Sequence, residues 1–203
     1  MTLTPKGRAT RARIIEASAL HLRASDAGEI TLDEVLAVSR TSKGQLFHYF
    51  PGGKEEILLE IVRFEAERVL TDQQPYLDEL TTWASWERWR HAVIERYKAQ
   101  GSHCPLNALI GQVGSTPGAD EVVRDLFARW EERLARGIRA MQDAGSARPD
   151  LSPEQTAAAL VAAIQGGVQL LRSTGRTDHL EAGIDQLLDH LRPEPSGQNR
   201  EES

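Results

Sequence analysis

Two helix-start signatures in quick succession constrain this chain more than anything else in it. Thr31-Leu32-Asp33-Glu34 and Ser42-Lys43-Gly44-Gln45 each set a hydroxyl residue three positions before a Glu or Gln. In that pattern the hydroxyl accepts from the N3 amide and the N3 side chain returns to the cap amide. The first box opens a short helix through Val38. The second opens one in which Leu46 and Phe50, four apart, bury on one face and leave Lys43, Gln45, Phe47, His48 and Tyr49 to the others. Only Ser39-Arg40-Thr41 stands between the two. Short helices joined by so short a turn read as helix-turn-helix, with the second, donor-rich and aromatic, as the element that enters a major groove. Taken alone, Phe47, His48 and Tyr49 would also suit core and surface positions of a small helical bundle.

Charge separates the two readings. The 203-residue chain carries a net −6, which at first argues against a nucleic-acid partner. Residues 1–54, however, hold eight Lys or Arg against five Asp or Glu, a net +3, and leave −9 to residues 55–203. A basic head can approach phosphates while an acidic body repels the duplex.

The run Ile30 to Lys54, ITLDEVLAVSRTSKGQLFHYFPGGK, covers about an eighth of the chain. It resembles the DNA-binding signature of the TetR family of bacterial transcriptional regulators, and its Phe-Pro-Gly-Gly-Lys ending is similar to the branch containing the LmrA and YxaF repressors. The resemblance implies that Lys43, Gly44 and Gln45 face base edges. Phe47 and His48 then pack on sugar and phosphate or meet thymine methyls, and Tyr49 and Lys54 anchor phosphates. The caps Thr31 and Ser42 join that DNA-facing set. Two positions depart from the family pattern. Arg40 stands where the family usually has glycine, so its backbone must accept a conformation that glycine enters at no cost. Asp26-Ala27-Gly28 replaces the family's glycine-aromatic pair.

Periodicity places helices along the rest of the chain. A first helix is expected from about Arg8 to Ala24, with residues 1–7 mobile and Ile14, Ile15, Ala17, Ser18 and Leu22 on its apolar side. After Pro51-Gly52-Gly53 a long helix starts at Lys54 and serves as the hinge between head and body. Trp83, Trp86, Val93 and Tyr97 recur at helical spacing with Trp89 on the flank. A short helix from Leu106 to about Val113 precedes a longer one marked by Val122, Leu126, Phe127, Trp130, Leu134 and Ile138. Ser152-Pro153-Glu154-Gln155 is a third capping box, with proline at the first helical position. Gly166-Gly167, inside that last helical pattern, permits close helix approach. The expected architecture is all-α: a helix-turn-helix DNA-binding domain at 1–53, a ligand-binding and dimerisation domain at 54–192, and a disordered polar tail at 193–203.

No enzyme constellation is visible. Glu55-Glu56 and Glu131-Glu132 are consecutive on helices and so point to different faces, and the six histidines lack metal-ligand spacing. No cofactor or metal is expected. The chain lacks an apolar run near the roughly 18 residues of a membrane span and any signal-peptide pattern, so the reading is cytoplasmic, with no membrane partner. A single cysteine, Cys104, fits a reducing compartment. It sits between His103 and Pro105, where it is either an inert half-buried residue or, as in some relatives implied by the resemblance, a sensor of oxidants.

The resemblance further implies an effector pocket lined by the tryptophan-bearing helices. Its candidate residues are Trp86, Trp89, Arg90, Val93, Tyr97, Cys104, Phe127 and Trp130, with Arg90 free to answer an anion or stack on Trp86. It also implies a homodimer through the last two helices, where Leu160, Ile164, Val168, Leu171, Ile184 and Leu188 offer apolar surface. The partners are then a pseudo-palindromic double-stranded operator, a mostly apolar small molecule and a second copy. The function is repression relieved by the effector. An activator or effector-independent helix-turn-helix regulator is the alternative, and a helical enzyme or scaffold using the pocket is a third.

Overall fold

The computed structural model describes residues 3–24, 30–100 and 114–193. Among these residues there are eight α-helices, one 3-10 turn at Tyr76–Asp78 and no strand, in agreement with the all-α expectation. None of these helices is long and apolar enough to cross a membrane. The helices form two compact units that divide between Asp72 and Gln73 and again between Leu126 and Phe127. The boundary expected at 53/54 follows the motif; the compact unit runs on through the next helix. Cys104, the Leu106–Val113 helix, Asp26-Ala27-Gly28 and the tail from 194 onward lie outside the described residues.

In the first unit α1 (Pro5–Ala24), α2 (Leu32–Ser39), α3 (Lys43–Tyr49) and α4 (Gly53–Thr71) surround one core. The first helix starts before Arg8, because Thr4 caps it: its Oγ1 accepts from Gly7 N at 3.2 Å and its carbonyl from Arg8 N at 2.9 Å. Pro5 then sits in the first turn, where a missing N–H costs nothing. Ala19 rather than Ala17 completes the buried face with Ile14, Ile15, Ser18 and Leu22. Leu46 and Phe50 are both fully buried, as their spacing requires, against Val35, Ile57 and Ile61. One charged pair lies inside this packing. Glu65 on α4 is buried, with Arg23 Nε of α1 at 3.5 Å. Burial pushes the Glu65 carboxyl above its ordinary pKa, and the guanidinium opposes that rise.

Arg40 does what the sequence demands of it. Its φ of 49° and ψ of 46° lie in the left-handed region. The turn is held by Arg40 N on Ala37 O at 3.3 Å, Thr41 N on Leu36 O at 3.1 Å, and the Arg13 guanidinium on Ser39 O. A left-handed non-glycine residue costs roughly 1–2 kcal/mol, and glycine returns about half of that as extra entropy lost on folding. Arg40→Gly is therefore expected to stabilise the protein by about 0.5–1 kcal/mol, read as a higher urea midpoint at unchanged slope.

The second unit contains the 3-10 turn, α5 (Trp83–Gln100), the part of α6 (Ala119–Asp143) from Phe127 onward, α7 (Pro153–Thr174) and α8 (Asp178–Leu191). Ser152 caps α7 by accepting from Gln155 N at 3.2 Å, with Pro153 at its start. The expected return contact from Gln155 is replaced by Glu154, whose carboxylate takes the Ser152 hydroxyl at 3.1 Å. Helices α7 and α8 form a tight antiparallel hairpin. A Cβ on Gly167 would come within 2.5 Å of Leu180 Cα, and one on Gly183 within 3.2 Å of Ala163 Cβ. The same test finds open space at Gly166, so only one glycine of the pair serves the hairpin.

Candidate nucleic-acid interface and ligand domain

The two capping boxes predicted in the head both form. Thr31 Oγ1 accepts from Glu34 N at 3.2 Å while Glu34 Oε2 accepts from Thr31 N at 2.7 Å. Ser42 Oγ accepts from Gln45 N at 3.3 Å and Gln45 Oε1 from Ser42 N at 3.4 Å. The caps and the left-handed turn fix how α3 leaves α2. What α3 then presents follows from its register. Ser42, Lys43, Gly44, Gln45, Phe47 and His48 are exposed, Phe47 unusually so for an aromatic at 40 %. A Cβ on Gly44 would meet nothing, which leaves the backbone of the first turn open to a close approach.

Tyr49 is half-buried against the core and meets the His48 ring edge-on at 5.0 Å. Lys54 is also half-buried, one residue after Gly53, whose φ of 69° makes the corner into α4. Thr31 is exposed at the start of α2. Sequence reasoning missed the residues that hold this surface from behind. Arg13 bonds the turn carbonyl, and Arg11 lies over the Phe50 ring at 5.0 Å.

The ligand-domain candidates occupy different situations. Trp86, Trp89, Val93 and Tyr97 of α5 and Trp130 of α6 are all buried, and Phe127 is half-buried. Trp89 therefore belongs to the centre of the stripe and not its flank. It meets Trp86 edge-to-face at 5.5 Å and donates its indole N–H to Gln73 Oε1 at 3.0 Å. Arg90 is committed: it makes a two-pronged bond to Asp185 of α8, with Nη2 on Oδ2 at 2.6 Å, and does not stack on Trp86. Trp83 is half-buried, donates its indole N–H to Ser146 O at 2.9 Å and carries the Arg192 guanidinium 4.1 Å above its ring. Among the described residues, Trp130 alone of the four tryptophans keeps a buried indole N–H with no acceptor. Leaving such a donor unpaired costs roughly 1–3 kcal/mol.

The six expected interface residues are placed inside the single chain. Leu160, Ile164, Val168, Leu171, Ile184 and Leu188 are 0–5 % exposed in one copy. They build the hairpin and do not form its outer face. That face, on α7, consists of Ala158, Ala162, Gly166 and Leu170, spaced four apart and exposed, with Leu170 at 42 %. The four-residue spacing was legible, but attention to large apolar side chains passes over alanine and glycine.

A helix-turn-helix head on α1–α4 with a separate all-helical unit is the class this fold defines. Residues 82–187, about half of the chain, match the family described as the tetracyclin repressor-like C-terminal domain. The chain belongs to the TetR family of transcriptional regulators, which bind DNA and are not enzymes. An HTH-type transcriptional regulator of Mycobacterium tuberculosis (strain H37Rv) is 25 % identical over 141 residues, covering 62 % of this chain and 68 % of the relative. Among solved structures, a TetR-family regulator from Cytophaga hutchinsonii superposes with a TM-score of 0.78 at 17 % identity, covering 96 % of this chain and all of that one. The SmeT–triclosan complex superposes at 0.68 and 19 % identity, covering 94 % of this chain and all of SmeT. SmeT is the repressor of the Stenotrophomonas maltophilia multidrug efflux pump SmeDEF.

Proposed function

We propose that this regulator is a homodimeric repressor of the LmrA/YxaF-like branch, released from its operator by a small, mostly apolar effector. The observation that carries the DNA half of this reading is the exposed first turn of α3, where Lys43, Gly44 and Gln45 project from a helix fixed by two capping boxes. Base reading falls to Gln45, with Lys43 and Gly44 beside it, and phosphate anchoring to Tyr49 and Lys54. Gln45→Ala is expected to cost about 1–3 kcal/mol at one base position and relax preference there. Lys54→Ala should weaken all duplexes alike and lower the salt slope by about 1. Mobility shifts with the DNA flanking its own gene, at several salt concentrations, separate these outcomes. Equal binding by wild type and both variants would remove α3 from the interface.

The effector half rests on the aromatic unit built from residues 73–100 and 127–193 and on the family, whose regulators dimerise and bind small-molecule effectors. SmeT with triclosan is one such case. In this chain the effector reaches the cluster of Trp86, Trp89, Val93, Tyr97, Phe127 and Trp130; Arg90, paired to Asp185, frames it. Release requires that the effector bind the DNA-incompetent arrangement more tightly, since equal affinity for both shifts nothing. Loss of the operator complex on adding small apolar molecules tests this, and a complex insensitive to every one of them would make the regulator effector-independent.

A second copy supplies the two-fold partner. The small, exposed α7 stripe of Ala158, Ala162, Gly166 and Leu170 lets two such helices approach closely, with the buried hairpin residues beneath it. An isologous pair sets two recognition helices about 34 Å apart on a pseudo-palindrome. Leu170→Glu combined with Ala162→Glu is expected to give folded monomers with operator affinity down at least about 100-fold, because the second half-site no longer binds intramolecularly. Sedimentation of an intact dimer would place the interface elsewhere.

A further inference from the structure

The aromatic unit pairs its indole donors unevenly. Trp83 donates to Ser146 O at 2.9 Å and Trp89 to Gln73 Oε1 at 3.0 Å. Trp130 is fully buried, and its indole N–H is shut off from solvent without an acceptor. Buried polar groups are nearly always hydrogen-bonded, so a donor left over in the middle of a core calls for a partner. Its own helix does not provide one. Leu134, one turn on, is apolar and fully buried, and the carbonyls of a helix interior are taken by its own amides.

The register of α6 fixes which way Trp130 faces. Gly137, seven residues on, is two turns away and so lies on nearly the same side of the helix. That side is turned toward α5, since a Cβ on Gly137 would stand 3.2 Å from Trp86 Cζ2. Trp83, the first residue of α5, reaches Ser146 beyond the far end of α6, so the two helices run in opposite directions. Trp130 therefore stands about 10 Å further along the shared side than the Trp86 contact, toward the turns of α5 that carry Val93 and Tyr97. Both of those residues are buried as well. The unpaired N–H thus belongs to the interior of the effector cluster.

Resting on the effector reading above, we infer that the effector carries one neutral, acceptor-only oxygen, a ketone or ester carbonyl, and that Trp130 Nε1–H donates to it. An indole has one N–H and no acceptor, so a ligand group that must itself donate would go unpaired there. A carboxylate would enter without the cation of the α5 stripe, because Arg90 is already held by Asp185 with Nη2 on Oδ2 at 2.6 Å. The remainder of the ligand meets apolar and aromatic side chains. Selection between ligands of one shape then falls to the single bond at Trp130, since an isostere lacking the oxygen leaves the donor unpaired.

Benzophenone and diphenylmethane are the probes, for they share two phenyl rings and differ by a carbonyl oxygen against a methylene. Each is titrated into the full chain and followed by calorimetry and by the indole N–H resonances of 15N-labelled tryptophan, with that of Trp130 assigned by its loss in Trp130→Phe. Benzophenone should bind about tenfold more tightly than diphenylmethane, as one neutral hydrogen bond allows, and should move the Trp130 N–H proton downfield. In Trp130→Phe, which keeps an aromatic ring, the two probes should bind about equally. Equal affinities in the parent chain, or a tenfold preference that survives Trp130→Phe, would overturn the inference and leave the effector reading standing. So would a cross-relaxation signal between the Trp130 N–H and a resident water in the free protein, which would mean that the donor is already paired. If neither probe disturbs an indole N–H of Trp86, Trp89 or Trp130, the effector reading of this cluster fails and the inference fails with it.

Discussion

Trp86→Ala and Trp130→Ala are each expected to cost about 3–5 kcal/mol of folding stability, a large share of the roughly 5–15 kcal/mol that holds a domain folded. The reason is packing. Trp86 is 1 % exposed and Trp130 fully buried. Trp86 presses its ring edge-to-face on Trp89, and its Cζ2 lies where a Cβ on Gly137 would come to 3.2 Å. An alanine at either place leaves an indole-sized void that the helices cannot collapse to fill. Urea unfolding followed by circular dichroism measures the loss, and a cost below about 1 kcal/mol would mean that the ring borders empty space. Effector experiments on this cluster therefore need shape-conserving variants. Trp130→Phe is the informative one, because it removes the unpaired indole N–H and keeps an aromatic ring. Its smaller cavity cost is offset by relief of that donor, so it should fold nearly as stably as wild type.

The head was legible because its determinants are local. Thr31 with Glu34 and Ser42 with Gln45 each act across three residues, and both boxes close as the sequence requires. Arg40 shows the same on a finer scale: a turn this short needs a left-handed residue, and the chain supplies one without a glycine. Thr4 was overlooked because a basic, proline-containing start resembles a mobile arm, and nothing apolar marks its first turn. The second unit depends on pairings that sequence spacing does not encode. Large apolar side chains at 164, 168, 184 and 188 announce burial, yet not whether the cover is the neighbouring helix or another chain; here it is the neighbouring helix. Arg90 likewise shows a cation on an aromatic stripe, while its partner Asp185 lies on a helix far along the chain.

Gly166 and Gly167 divide these two kinds of information between adjacent residues. Gly167→Ala is expected to destabilise by about 2–3 kcal/mol even after the roughly 1 kcal/mol that alanine gains in helix propensity. Its Cβ would sit 2.5 Å from Leu180 Cα and 3.0 Å from Leu180 N. Those are backbone atoms that cannot rotate aside, so α8 as a whole must move off α7. The displacement loosens Ile164 and Ile184, which are fully buried in that hairpin, and should lower the thermal midpoint by several degrees. Gly166→Ala, one residue earlier, meets no atom in the single chain and should stabilise the isolated copy by about 1 kcal/mol. In the dimer proposed above its sign reverses, because position 166 lies on the stripe of α7 that a second copy would cover. Measuring both variants in the folded monomer made by Leu170→Glu with Ala162→Glu, and again in the parent chain, separates hairpin from interface. Gly167→Ala must be costly in both. Gly166→Ala must be favourable in the monomer and must weaken self-association in the parent, and a gain in both would leave the outer face of α7 open to water.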